Sequence, residues 1–336
     1  MAKRFTLLVS LALATALIPI APVSAAPEKP KIGIIYDVGG RGDKAINDAA
    51  AAGIDSAKKK FKLSKFDVRE LVTTGIDFDR ENRIEFLVKA NYDLVIGVGP
   101  SFNEAISYMT DKYPESQFAV IASSGVASIN VSCMAFDLNQ GSFLAGVMAA
   151  LNSKAKKVGY VGDASNPSNA ANLRNFQAGV KYAGSKAQVF AANASTSADA
   201  EIVKLSGQGA DVFFINWSRN GSVLTAANKL AKAKKPIKII GVRPDQFFIA
   251  TNEAQKYLIG YVNQRFDSAI NDLFSAAVSG RTITEEVDVV KGVFGRNYTL
   301  SNSGVDLIAT SANSASKSAV SRAKSEIISK KITIVK

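Results

Sequence analysis

Short apolar runs alternate with longer amphipathic stretches along most of the chain. Lys31 to Tyr36, Phe66 to Val72, Asp93 to Val98, Phe118 to Ala122, Lys157 to Val161, Ala187 to Ala191, Asp211 to Trp217, Ile237 to Val242, Leu258 to Val262 and Val287 to Val293 are rich in β-branched residues and predict strands. Between them, Asp43 to Phe61, Phe78 to Ala90, Ser101 to Tyr113, Gln140 to Leu151, Ala170 to Ala183, Gly221 to Ala233 and Phe266 to Ser279 carry helical periodicity. Most of the strands are apolar on both faces, as parallel strands covered by helices on each side must be. The alternation predicts a doubly wound α/β architecture, and so many strands exceed one ordinary sheet, so two are expected. Ser128 to Leu138 reads as a first crossover between lobes. Beyond Leu258 the pattern loses regularity, as though the chain returns to the first lobe for one helix and leaves again, and three crossings would form a hinge. The expected division is 27–135 plus 263–283 for an N-terminal lobe and 136–262 plus 284–336 for a C-terminal lobe.

The first residues form a separate unit. Lys3 and Arg4, the apolar run Phe5 to Ile20 and the small residues Val23-Ser24-Ala25-Ala26 predict a secretory signal peptide over residues 1–26. Pro19 and Pro22 interrupt the run, which argues against a membrane span. The absence of a cysteine at the cleavage region leaves no lipobox, so a soluble protein in the periplasm or outside the cell is expected.

Composition narrows the chemistry. With no histidine there is no Ser-His-Asp or Cys-His nucleophile pair and no His-containing zinc site, and the lone Cys133 excludes an internal disulfide and an iron-sulfur cluster. No metal and no cofactor is expected. The formal charge is +12, of which two units leave with the signal peptide. From Lys317 to Lys336 six basic residues face only Glu326, but no aromatic is interleaved with them, so this tail reads as a solvated face and no nucleic-acid partner is expected.

In open α/β sheets, ligands lie beyond the carboxyl ends of the strands. The first strand runs into Asp37-Val38-Gly39-Gly40-Arg41-Gly42-Asp43, a glycine turn before a helix. Asp37, Asp43 and Asn47 could bind a polar ligand there, or serve as turn and cap residues. Ser101, after Gly97-Val98-Gly99-Pro100, is a cap or a contact. Trp217, the only tryptophan, either stacks on a ring or covers a sheet edge. Arg243 is positioned for an anionic or carbonyl group, or pairs with Asp245.

Several ordered motifs carry a family resemblance. They are Asp37-Val38-Gly39-Gly40 with Asp43-Lys44 and Asn47; Asp93 to Gly99; Gln140-Gly141-Ser142-Phe143-Leu144-Ala145-Gly146; Val158 to Gly162; Phe176-Gln177-Ala178-Gly179; Gly241-Val242 with Asp245-Gln246; and Glu326 to Ser329 with Lys331-Ile332. Together they resemble the basic membrane protein family of bacterial substrate-binding proteins, best known as purine-nucleoside receptors of ABC importers. The resemblance implies two Rossmann-like lobes joined by a three-strand hinge, the type I periplasmic binding protein fold. It further implies a monomer that closes on a small polar ligand and is then recognised by a membrane permease. Asp37 matches the family's aspartate after the first strand, and Asn47 lies in its ligand-contacting helix start.

The departures bear on the ligand. The family's D-K-S-F-N is Asp43-Lys44-Ala45-Ile46-Asn47, so the stacking aromatic is replaced by Ile46. The fourth strand ends in Ala122-Ser123 without the usual aspartate, and G-V-D-x-D-Q has become Gly241-Val242-Arg243-Pro244-Asp245-Gln246. A family lysine after the second crossover is Gln264 or Arg265, and A-G-G-T-G is Asn216-Trp217-Ser218-Arg219-Asn220. Fewer carboxylates, with Arg243 and Arg219 added, point to an anionic or carbonyl-rich ligand; if a nucleoside binds, Trp217 is the expected stacking partner. Ligand contacts are thus expected from Asp37, Asp43, Asn47, Ser101, Trp217, Arg243, Asp245 and Gln264. A sensor co-receptor of the same fold, or a nucleoside hydrolase using Asp37, Asp43 and Asp245, are the alternatives to an importer's binding protein without turnover.

Overall fold

The computed structural model of the chain describes residues 29–43, 45–217, 223–242 and 256–336; residues 1–28, with the signal segment, and Arg219, Arg243 and Asp245 lie outside them. Two sheets share the strands. The first half alternates β1 (Ile32–Tyr36), α1 (Ile46–Lys60), β2 (Val68–Val72), α2 (Asp79–Lys89), β3 (Leu94–Val98), α3 (Asn103–Lys112), β4 (Gln117–Ile121) and β5 (Val131–Phe136). The second continues with α4 (Leu138–Asn152), β6 (Lys157–Asp163), α5 (Asn169–Tyr182), β7 (Gln188–Ala194), α6 (Asp199–Gly207), β8 (Val212–Asn216), α7 (Val223–Lys232), β9 (Lys238–Val242) and β10 (Leu258–Gln264). The chain ends with α8 (Phe266–Val278), β11 (Glu285–Asp288), β12 (Val293–Tyr298), β13 (Val305–Ala309) and α9 (Ser314–Ile328).

A seven-stranded sheet has the order β11-β12-β5-β4-β3-β1-β2, and a six-stranded one β13-β10-β9-β8-β6-β7. All pairings are parallel except β11 with β12 and β13 with β10. β1 and β3 are buried at every residue, whereas β2 and β7, at the sheet edges, are partly exposed. That is why the inner strands stand out in the sequence as unbroken apolar runs. The alanine-rich face of α1 packs against α8, so the chain does return to the first lobe for one helix.

Three expectations are corrected. The stretch from Ser128 to Leu138 is mostly β5, which lies between β4 and β12, and the crossover itself is confined to Phe136–Leu138. The apolar run Val287 to Val293 is a hairpin, with Val289 and Val290 exposed at its turn. Residues 284–336 therefore do not form one block in the second lobe. β12 pairs with β5 from Gly295 opposite Cys133 to Tyr298 opposite Phe136, and the chain joins the second sheet only at β13. Gly295 permits this pairing, because a Cβ there would sit 2.0 Å from the carbonyl oxygen of Cys133.

The chain thus crosses three times, at Phe136–Leu138, Gln264–Phe266 and Tyr298–Val305. Each crossing supplies one aromatic ring to a cluster. Phe136 meets Phe266 edge-on and Tyr298 face-on, both at 4.9 Å between centroids. Main-chain bonds join the crossings, from Asp137 N–H to Tyr298 O and from Arg265 N–H to Gly304 O, each 2.9 Å.

The second lobe is organised around α4, which is buried along nearly its whole length. Gly146 of α4 and Gly179 of α5 let the two helices touch backbone to backbone. The C-terminal segment docks its apolar side, with Val320, Ala323 and Ile327 in the core, and keeps Lys317, Arg322, Lys330 and Lys331 in solvent. Among the described residues no helix is long and apolar enough to cross a membrane.

Candidate functional site

In the first sheet the connections from β1 lead to β2 on one side and, later, to β3 on the other. The carboxyl ends of β1 and β3 therefore flank a topological switch point, where a crevice opens. β1 delivers Asp37 there and β3 delivers Ser101. Gly40, at φ 55°, turns the chain after β1 and leaves room for Val72, whose Cγ2 would lie 2.7 Å from an added Cβ.

The Asp37 carboxylate is the centre of a hydrogen-bonded cluster at this edge. Its Oδ1 accepts from its neighbour Val38 N–H at 2.9 Å and from Arg80 Nη2 at 2.8 Å, and its Oδ2 accepts from Ser101 Oγ at 2.8 Å. Arg80 comes from the first turn of α2 and lies 5.5 Å above the Phe102 ring, with Nε buried and unpaired among the described residues. Nothing in the local sequence marks Arg80. Only the fold brings it across 43 residues to Asp37.

Asn47 and Asp43 serve the backbone. The Asn47 side chain is fully buried; its Oδ1 accepts from Asp37 N–H and its Nδ2 donates to Asp37 O, both at 3.1 Å. Asp43 accepts from the N–H groups of Ala45, Asn47 and Asp48 and so opens α1, the cap alternative left open by its position. The same loop is tied down on its outer side. Arg41 makes paired 2.8 Å bonds to Asp55 and another to Glu70, which also accepts from Tyr36 Oη at 2.7 Å. Burial, reinforced by the Glu70 carboxylate, pushes the Tyr36 hydroxyl far above its ordinary range. Burial works to raise Glu70, but bonds from Tyr36 and Arg41 outweigh it and hold the carboxyl below its usual value.

The second sheet offers a row of neutral amides at the equivalent edge. Asn193 and Asn216 stand opposite Gly162 in register on the flanking strands. Asn216 Nδ2 donates to Tyr160 Oη at 3.2 Å, Tyr160 donates to Asn169 Oδ1 at 2.7 Å, and Asn169 Nδ2 donates to Asn193 Oδ1 at 2.7 Å. Burial pushes the Tyr160 hydroxyl up to about 12, which keeps it a donor. Gly162 makes the row feasible, since a Cβ there would lie 1.9 Å from Asn169 Oδ1.

Trp217 is 1% exposed and packs in the core with Phe213, Ile215 and Ile239, so it presents no free face for stacking. Its fluorescence should accordingly be shielded from iodide in the native protein and become quenchable only on unfolding. Native quenching as strong as that of free tryptophan would refute this placement. Gln264 closes β10, nearly buried, at the second crossing. The structure thus brings Asp37 and Ser101 together, adds Arg80, and gives Asp43, Asn47 and Trp217 structural work.

Residues 29–293 match the family described as ABC transporter substrate-binding protein PnrA-like. The chain belongs to this family. A relative from Lactococcus lactis subsp. cremoris, an ABC transporter nucleoside-binding protein BmpA, is 28% identical over 318 residues, covering 90% of this chain and 88% of its own length. A CD4+ T-cell-stimulating antigen of Listeria monocytogenes is 28% identical over 263 residues, 74% of each chain. Among solved structures, an ABC transporter solute-binding protein from Aeropyrum pernix K1 superposes with a TM-score of 0.69 at 20% identity, over 90% of this chain and 92% of that one. The fold is that of type I periplasmic binding proteins. As a PnrA-like protein, the chain is an extracytoplasmic solute-binding protein of an ABC importer, with a small-molecule ligand and a membrane permease as partners. Of the family motifs, Phe143 and Gly146 meet Phe176 and Gly179 in the α4–α5 contact, while Gly141 lies against Val262 and Gln140 Oε1 accepts from Leu300 N–H at 2.8 Å.

Proposed function

We propose that the chain, exported by its signal segment as a soluble monomer, captures an uncharged nucleoside between its two lobes without turning it over. The observation that carries this is the Asp37–Arg80–Ser101 cluster at the β1/β3 switch point. There the guanidinium is already neutralised by a carboxylate, so the pair offers donors and an acceptor but no net charge of its own. The Asn193–Asn169–Asn216 row adds uncharged amides from the second lobe, beside the Asp163 carboxylate that Ser165 binds. An anion would gain from Arg80 but be repelled by Asp37; a molecule bearing hydroxyls and ring amides suits both. The anionic alternative rested on Arg219 and Arg243, which lie outside the described residues. The relative from Lactococcus lactis, named for nucleoside binding, supports the same reading. Ile46, beside Gly99 and Ser101, is the apolar surface on which a flat base would rest.

The test is a melting screen against nucleosides, free bases, sugars, nucleotides and organic acids. A ligand at about 100 times its Kd stabilises by about 2.7 kcal/mol. Stabilisation by adenosine, inosine or uridine, with the nucleoside recovered unchanged, is expected. A response confined to nucleotides or acids would overturn the proposal.

A further inference from the structure

The end of the first lobe that faces away from the crevice has no role in the cluster above. Because β12, β5, β4, β3, β1 and β2 run parallel side by side, the loops that enter them all lie at this one pole. Three of these loops hold large apolar side chains in solvent. Phe66, before β2, is 78% exposed, Ile129, before β5, is 75% exposed, and Val290, in the turn before β12, is 97% exposed with Val289 beside it. Apolar tips shared among separate loops at one end of a soluble domain mark a surface that another molecule covers. The same pole is basic. Lys29 and Lys31 lead into β1, Lys59, Lys60 and Lys62 lie at the end of α1, and Lys65 precedes Phe66; all are exposed. Lys29 Nζ donates to Lys62 O at 2.7 Å, and the N–H groups of Ile32 and Asp93 donate to Asp67 O and Lys31 O at 2.8 Å, which gathers these segments. The carboxylates nearby are fewer. Asp67 and Asp93 accept from the main-chain N–H groups of Ser64 and Lys31, Asp288 pairs with Lys291, and Asp111 and Glu115 remain toward β4.

We propose that this pole is a membrane-docking face, resting on the outer surface of a bilayer that contains anionic phospholipid. Charge complementarity selects the sign of the partner: the lysines meet phosphate headgroups, each attracted more strongly the closer it lies to the surface. Shape and apolar character select a bilayer over a nucleic acid. Between β2 and β12 the sheet spans five strand spacings, roughly 24 Å, so Phe66, Ile129 and Val290 are spread across a broad face. Isolated aliphatic tips of this kind gain from the boundary between headgroups and acyl chains, and gain nothing from a phosphodiester backbone. The described chain also enters here. Lys29 follows directly on the segment that holds the apolar run Phe5 to Ile20, so during export this is the end nearest the membrane. Docking by this end leaves the crevice, at the carboxyl ends of the strands, open to solute. A contact made largely by exposed lysines is screened by salt and reversible, so the protein can leave it to present its ligand to the permease.

Co-sedimentation with vesicles tests this. The protein purified after export is mixed with phosphatidylcholine vesicles that do or do not contain phosphatidylglycerol, at low and at high salt. Binding to the phosphatidylglycerol vesicles is expected to be at least about tenfold tighter than to phosphatidylcholine alone, and to weaken as salt rises. Two variants at the pole, Lys59→Glu/Lys65→Glu and Phe66→Ser/Val290→Ser, are each expected to weaken it at least about fivefold with an unchanged melting temperature, since all four side chains are exposed. Lys317→Glu/Arg322→Glu removes the same charge from α9 and is expected to change binding by less than about twofold. Failure to bind phosphatidylglycerol vesicles would overturn the proposal. So would an equal loss from the α9 variant, which would make net charge sufficient, or full binding by the Phe66→Ser/Val290→Ser chain, which would reduce the face to a lysine patch open to any polyanion. No nucleoside enters the measurement, so a failure to bind nucleosides would sink the ligand reading and leave this one to stand or fall on its own result.

Discussion

A Gly146→Ala chain is expected to unfold at a much lower urea concentration than the wild type, with a loss of about 3 kcal/mol or more. The added methyl carbon would lie 2.1 Å from the carbonyl oxygen of Phe176 and 3.0 Å from the amide nitrogen of Val180. Both are backbone atoms of α5, so no side chain can swing aside. The helices must instead separate, and α4 is enclosed on every side, so its withdrawal from α5 disturbs its contacts with β8, β10 and α9. The reciprocal site makes the prediction sharper. Gly179 meets Phe143 in the same way, with its added methyl 2.0 Å from the carbonyl oxygen. Once one alanine has forced the helices apart, the second costs less, and the double variant should lose clearly less than the sum of the two singles. Simple additivity, or a wild-type unfolding midpoint for either single change, would refute the backbone contact.

The second large effect concerns Asn47. Asn47→Ala leaves the N–H of Asp37 without a partner and strips from its C=O one of two bonds, the other coming from Gly40 N–H, at about 1 to 3 kcal/mol for the unpaired donor. A stability loss of about 2 kcal/mol is expected, together with at least a tenfold fall in affinity for adenosine, because Asp37 is then held less firmly toward Arg80 and Ser101. Asn47→Asp retains the acceptor for Asp37 N–H but loses the donor to its carbonyl, so it should fall between the two. Equilibrium unfolding and calorimetric titration measure both quantities. If Asn47→Ala loses affinity while keeping full stability, Asn47 touches the ligand directly, as its sequence position first suggested, and the clamp is wrong.

These two sites show what was readable in the chain and what was not. The inner strands were legible because burial on both faces leaves an unbroken apolar run that few other structures produce. β5 was not, since Val131-Ser132-Cys133-Met134 mixes polar and apolar residues and no strong turn signal sets it off. The turn at Val289–Gly292 was hidden by valines that stand in solvent. Motif order revealed the family, but two of its glycines, Gly146 and Gly179, encode helix contact, which constrains residues as tightly as ligand contact does. Asp37 and Ser101 could be named because glycine turns after strands are local. Arg80 could not, because its relation to Asp37 exists only in the folded chain. Trp217 was misplaced for a related reason: the end of a strand is not always the end of the core.

The rings of Phe136, Phe266 and Tyr298 belong to three separate connections and lie in mutual contact through Phe136. One connection would act as a swivel and two as a pair of straps. Three that are pinned together at a common point remove torsion about the long axis and slippage between the lobes, leaving bending as the soft coordinate. Groups carried by different sheets, Asp37 on one and Asn216 on the other, would then come back to the same mutual register at every closure, although no direct bond between them is needed to guide it.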